Sequence, residues 1–211
     1  MTYERVYAYL LTPPIYRMIL LLHGLSRSGK DTVATRLVSS FGFEHLKIAG
    51  HLKRSASLLF GIPESHFETG EKDVVHRKWE RTPREILKFL GTDVFQFQIE
   101  TLLPGSARCF WINYLHDDIT RLQSMKKHIV ISDYRFPHEL GSLRIRFPQE
   151  TIRVIHVTPK YIGYRAPILL DESERRLPHD FEIENRTVEE LYRQLDSLVE
   201  ELIRTKSPPS R

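Results

Sequence analysis

The sequence predicts an α/β domain: one parallel sheet of five strands with helices on both faces. Three observations carry that prediction. Strand-like and helix-like segments alternate from residue 18 onward, and such alternation builds parallel sheets through helical crossovers. The segment "MILLLH" is a continuous apolar run, as a strand buried on both faces requires. The glycine-containing turn "GLSRSG" leads from it directly into a helical pattern, and ligands in such sheets bind at the carboxyl ends of the strands.

The elements follow in order. After "MILLLH", Val33, Ala34, Leu37, Val38 and Phe41 form one helical stripe, and Gly42 closes it. "FEHLKI" is the second strand. Leu52, Ala56, Leu59 and Phe60 mark a second helix, again ended by a glycine. Residues 62–81 are polar with scattered Gly and Pro, and read as loop. Thr82, Pro83 and Glu85 make a helix start, with a capping box and a proline at the first helical position. Ile86, Leu87, Leu90, Val94, Phe97 and Thr101 share one face of that helix. "WINYLHDDITRL" is a further amphipathic helix. "HIVISD", "TIRVIHV" and "FEIEN" supply the remaining strands. Thr187 with Glu190 opens the last helix, whose inward positions are Val188, Leu191, Leu195, Leu198 and Leu202. Residues 18–204 form one domain between an N-terminal extension, 1–17, and a flexible tail, 205–211.

Bulk properties narrow the class. The 211 residues suffice for one sizeable core, and 41% hydrophobic with 27% charged residues is an ordinary globular balance. A net charge of +4 suits anionic small molecules. No dense basic run with interleaved aromatics marks a nucleic-acid surface. The single cysteine, Cys109, lies among apolar residues and reads as a buried thiol in a reducing compartment. No apolar run is long enough to span a membrane, so the expected location is cytoplasmic. The ten histidines show no metal-binding spacing, and His23 reads as packed or capping.

The chemistry concentrates in a few motifs. Gly24, Gly29 and Lys30 fit G-x-x-x-x-G-K, with a strand before and a helix after. Backbone N–H groups of such a turn and the positive helix end hold phosphate oxygens. Lys30 brings charge to the terminal phosphates, and Arg27 and Ser28 complete the loop. A hydroxyl usually follows the lysine and touches Mg²⁺; here Asp31 follows, and the hydroxyl is displaced to Thr32. Asp31 is either a partner of the metal or of an arginine, or an acid placed on the helix dipole. Asp133 ends a buried strand, where a charge is costly without a partner; it either holds Mg²⁺ through water or caps a turn. Arg84 stands in the first turn of a helix, where the dipole disfavours a cation unless an anion meets it.

The stretches "GLSRSGKDT", "REILKFLGTDV", "ISDYRFPHE" and "FEIEN" occur in that order. Together they resemble the deoxynucleoside monophosphate kinases of bacteriophages and large DNA viruses, over residues 21–202. Animal phosphomevalonate kinases are similar in the R-x-S-G-K-D loop and the ending; the "PREILKFLGTDV" segment favours the nucleotide kinases. The resemblance implies a three-layer P-loop kinase fold, with an acceptor-binding region at residues 50–110 and a lid at 160–178. It implies ATP and Mg²⁺ as cofactors, and ATP and a nucleoside monophosphate as small-molecule partners, with neither nucleic acid nor membrane; a homodimer stays compatible with it. Lys30, Arg84, Asp133 and Arg165 are the implied transfer residues. Gly24, Arg27, Ser28, Gly29, Lys30, Asp31 and Thr32 are implied to bind ATP, with Asn185 beside its adenine. Thr32 and Asp133 are the implied metal residues. Lys53, Arg84, Thr92, Asp93, Arg135 and Glu139 are implied to bind the acceptor. Read from the residues alone, Lys53 also fits a solvated basic face, Thr92 and Asp93 helix surface, and Arg165 a mixed-charge loop. Phosphomevalonate phosphorylation and a non-catalytic nucleotide-binding module are the alternative functions.

Overall fold

The computed structural model describes residues 17–68, 70–106, 108–161, 163–164 and 176–204. Arg165, most of the expected lid and extension, and the expected tail lie outside the described residues. Strand β1 is Met18–His23, β2 Glu44–Leu46, β3 Ile129–Ile131, β4 Thr151–Pro159 and β5 Phe181–Asn185. They form one five-stranded sheet in the order β2-β3-β1-β4-β5, and every pairing is parallel. The helices are α1 Lys30–Phe41, α2 Ile48–Phe60, α3 Pro83–Lys88, α4 Phe110–Ser124, α5 Pro137–Arg146 and α6 Val188–Arg204.

The two faces of the sheet carry separate cores, because successive strand residues point to opposite sides. Ile19, Leu21, Ile131 and Val154 pack with Leu52 and Ala56 of α2 and with Ile112, Leu115 and Ile119 of α4. Leu20, Leu22, Val130 and Val157 pack with Val33 and Leu37 of α1 and with Leu191, Leu195 and Val199 of α6. Central β1 is covered on both sides and fully buried, which is why its sequence is apolar without alternation. Among the described residues, no helix is long and apolar enough to cross a membrane.

Three local expectations need correction. Val38, Leu59 and Val188 are exposed, since they lie at the margins of their helical stripes. The helix begun at Thr82 has its capping box, but Phe89–Phe97 continues as a π-helix. Its i→i+5 bonding rotates residues away from α periodicity, so Leu90, Gly91 and Gln96 are buried while Phe97 is exposed. The wide turn brings Gly91 against α2, where an added Cβ would stand 2.6 Å from Leu52 Cδ2, and the Gly91 carbonyl accepts the Trp111 indole N–H at 3.2 Å. Helix α5 is additional to the elements read from the sequence. Its start signals, Pro137 and Glu139, lie inside the stretch read as a ligand motif.

Leu20 is completely buried at the centre of the sheet. Leu20→Ala is expected to cost about 2–5 kcal/mol. In urea the unfolding midpoint falls while the slope stays unchanged.

Candidate active site at the strand carboxyl edge

The turn from β1 to α1 is shaped by close backbone approach. Gly24 has φ 150° and Gly29 φ 105°. A Cβ on Gly24 would stand 2.4 Å from the Val157 carbonyl oxygen, and one on Gly29 2.5 Å from Asn185 Nδ2. The Val33 N–H to Gly29 carbonyl bond, 3.0 Å, opens the helical ladder. The N–H groups at the start of α1 therefore lie beyond its first bond, where a helix end presents donors and positive dipole to an anion. Lys30 Nζ arches back over the turn and donates to the carbonyls of Gly24 (2.6 Å) and Leu25 (2.7 Å). Its charge is thereby held above the loop.

Two side chains brace this loop from neighbouring strands. Asn185 Nδ2 donates to the Ser28 carbonyl at 3.0 Å. Its side chain is thus committed to the loop, while the expectation that the turn at Asn185 faces the adenine concerns its backbone groups. The Tyr161 hydroxyl, just beyond β4, donates to the Arg27 carbonyl at 3.0 Å. Arg27 is a non-glycine residue at φ 62°, a sparsely populated conformation that needs outside support.

The carboxylates near the loop are largely engaged with the protein. Asp31 pairs with Lys47 at 3.3 Å. Asp133 accepts the Ile48 N–H at 2.7 Å and the Ala49 N–H at 2.8 Å. It therefore caps α2 and ties the end of β3 to that helix. Each oxygen keeps a lone pair outside these bonds. Glu139 is 5% exposed and accepts the N–H groups of Arg135 and Phe136 through one oxygen, at 2.8 and 3.0 Å. It starts α5 from within. Burial pushes its carboxyl up to about 7, against the two amide bonds, which lower it.

Several cations outside the turn bear on one another. Lys53 pairs with Glu68 at 2.9 Å. Arg84 grips Asp73 with both Nε and Nη2, the latter 3.2 Å from Oδ2. Lys72 lies among them: burial first, then the positive charges of Arg84, Lys53 and Arg135, hold its ammonium below the usual lysine range. Asp73 is held low by the Arg84 hydrogen bond, with Lys72 and Arg27 adding to the pull. Arg27 of the phosphate loop thus acts on the carboxylate that Arg84 holds. Thr92 is half-buried and Asp93 exposed on the π-helix. Lys72, Lys47 and Tyr161 are functional candidates that sequence reasoning passes over. Lys72 and Lys47 have no periodic or motif context, whereas an aromatic residue just after a strand at the ligand-binding edge was a usable signal.

His23 is buried, with Nδ1 facing the Tyr134 carbonyl and Nε2 accepting the Leu177 N–H, each at 3.3 Å. It is a packed histidine between strand end and returning chain. Among the described residues, no three His, Cys, Asp or Glu side chains gather as a metal site.

No protein-family model matches the chain. A protein of Acanthamoeba polyphaga mimivirus, named "Putative deoxynucleotide monophosphate kinase", is 28% identical over 190 residues, 85% of this chain and 94% of the relative. The structure of a "putative kinase" from Chloroflexus aurantiacus aligns with TM-score 0.51 and 15% identity, covering 91% of this chain and 98% of that one. The APS kinase CysC of Mycobacterium tuberculosis aligns with TM-score 0.46 and 12% identity, over 89% and 99%. The fold is the three-layer P-loop kinase fold, and the sequence resembles a deoxynucleotide monophosphate kinase.

Glu139 has a pH consequence. Unfolded, it ionises near 4.5; folded, it keeps its proton to about 7. The folded state binds more protons between these values, so stability contributed by Glu139 is full below the lower one and is lost as pH rises through the upper. Glu139→Gln is expected to flatten that fall, read from urea midpoints across the window; an unchanged slope refutes the assignment.

Proposed function

We propose that this chain transfers the γ-phosphoryl group of ATP to the 5′-phosphate of a deoxynucleoside monophosphate. One observation carries the proposal: Arg27 of the phosphate loop and Arg84 of the acceptor region act on the same carboxylate, Asp73. Arg84 forks on Asp73 and the charge of Arg27 reaches the same carboxylate, which supports a donor and an acceptor phosphate held near one another. The fold and the mimivirus relative support the same reading.

In this reading the triphosphate lies along residues 24–32, on the N–H groups of the turn and the start of α1. Lys30 exchanges the loop carbonyls for the terminal phosphates. Arg84, Lys53, Lys72 and Arg135 receive the acceptor phosphate; the arginine forks supply paired N–H bonds and the lysines point charges. An acceptor oxygen attacks the γ-phosphorus in line, the bond to the β-bridging oxygen breaks, and that oxygen leaves on ADP. The acceptor phosphate is largely ionised at neutral pH, so no general base is needed. Catalysis is then positioning and charge neutralisation. Thr32 and a free lone pair of Asp133 are hard oxygen donors of the kind Mg²⁺ takes, and the ion would neutralise charge on the β- and γ-oxygens.

ADP release is to be screened against deoxy- and ribonucleoside monophosphates, with mevalonate 5-phosphate included. Release with the deoxynucleotides supports the proposal, and release with none of the acceptors reduces the chain to a nucleotide binder. Lys30→Ala is expected to slow turnover by about 10²-fold or more at unchanged circular dichroism; wild-type turnover contradicts the donor assignment. Arg84→Ala and Lys72→Ala each remove a charge-assisted contact, expected to cost about ten- to a hundredfold in acceptor kcat/KM, with ATP KM little changed. An equal rise in ATP KM moves these residues to the donor side.

A further inference from the structure

We infer that Glu68 and Asp73 are built-in stand-ins for the acceptor's phosphate: two carboxylates of one loop sit on the cations that receive it and must be displaced when it binds. The inference rests on the acceptor site proposed above. Both carboxylates come from the segment between α2 and α3, from or beside its two short 3-10 turns, Glu64–Phe67 and Gly70–Asp73. Each meets a different acceptor cation, Glu68 with Lys53 and Asp73 with Arg84.

The geometry is that of phosphate recognition. Arg84 uses two N–H groups on two oxygens of Asp73, the same forked arrangement by which arginine holds phosphate. The charges of Lys72 and Arg27 also bear on Asp73, and that of Lys47 bears on Glu68 alongside Lys53. The two carboxylates therefore balance the cation cluster and do not merely decorate the surface. The pairs are nonetheless partly exposed, and exposed pairs are weak. A phosphate dianion displaces them readily, whereas a ligand without that charge does not.

The segment is suited to exchange. Ile62 and Phe67 are buried and anchor its first half in the core. The capping box at Thr82 fixes its far end. Between them, residues 70–75 are exposed apart from the half-buried Lys72. Lys72 lies next to Asp73 in the same 3-10 turn, so the turn that gives up a negative charge also presents a positive one. Selection by this device depends on the phosphate of the acceptor and not on its base.

The opposite reading is that the carboxylates align Arg84 and Lys53 for substrate. The two readings differ in sign. Binding of inorganic phosphate to the full chain is measured by calorimetry at low salt for the wild type, Glu68→Gln, Asp73→Asn and the double variant. Glu64→Gln, in the same segment, controls for a general rise in positive potential. The stand-in reading expects phosphate affinity to rise about two- to fivefold in each single variant and further in the double, as befits partly exposed pairs, with the control unchanged. Unchanged or weakened binding overturns it, as does an equal rise in Glu64→Gln or no binding in any variant. Phosphate binding is read without turnover. A chain inactive on every acceptor whose variants still bind phosphate more tightly refutes the transfer reaction alone. An active chain whose variants do not bind it more tightly refutes the stand-ins alone.

Discussion

The site depends on a steric constraint. The turn between β1 and α1 runs so close to β4 and β5 that two of its residues have no room for a Cβ, one against the Val157 carbonyl and the other against Asn185. That closeness lets Asn185 and Tyr161 take up the loop's inner carbonyls. The Ser28 N–H is spent within the turn on the Leu25 carbonyl, and the amides at the start of α1 stand at a helix end whose dipole favours an anion. Gly24, Gly29 and the β4–β5 pairing therefore act together to hold the shape of the loop.

A second constraint is electrostatic. Lys72 feels the positive charges of Arg84, Lys53 and Arg135, and like charges raise each other's energy. Burial first, and then those charges, lower its ammonium. Asp73 pairs with Arg84 and Glu68 with Lys53. In the proposed reading these pairs keep the cations balanced until a dianion arrives, which would account for acidic residues inside a phosphate-binding region.

How much of this was legible in the sequence follows from how local each signal is. The phosphate loop, the central strand and the Thr82 capping box each depend on a few consecutive residues, and all stand where the sequence puts them. The parallel sheet was readable because β1 is apolar on both faces, a property that only a covered central strand needs. The carboxylates were ambiguous for a physical reason. An acid at a strand end or at the third position of a helix serves a ligand or a backbone amide equally well in one dimension. Asp133 and Glu139 turned out to hold amides. Lys72 and the π-helix were not legible at all. Lys72 acquires meaning only when the loop folds back onto α3, and the π-turn depends on Gly91 meeting Leu52 from another helix.

The capping role of Asp133 does not remove it from function. Its two oxygens fix the start of α2 to the end of β3, and Lys53 stands in the second turn of α2. The donor loop is fixed to the same sheet edge through Asn185 and Tyr161. The start of α2 and the β1–α1 turn thus hang from one sheet edge by hydrogen bonds to backbone, which errs less in position than side-chain packing on loops would. Between these halves lies the segment that carries Glu68, Lys72 and Asp73; its Phe67 is buried, its Trp79 donates to the Phe60 carbonyl, and its Glu68 and Asp73 pairs are partly exposed. Partly exposed pairs cost less to break than buried or capped groups, so the pairs of Glu68 and Asp73 are the contacts of this region that exchange at least cost.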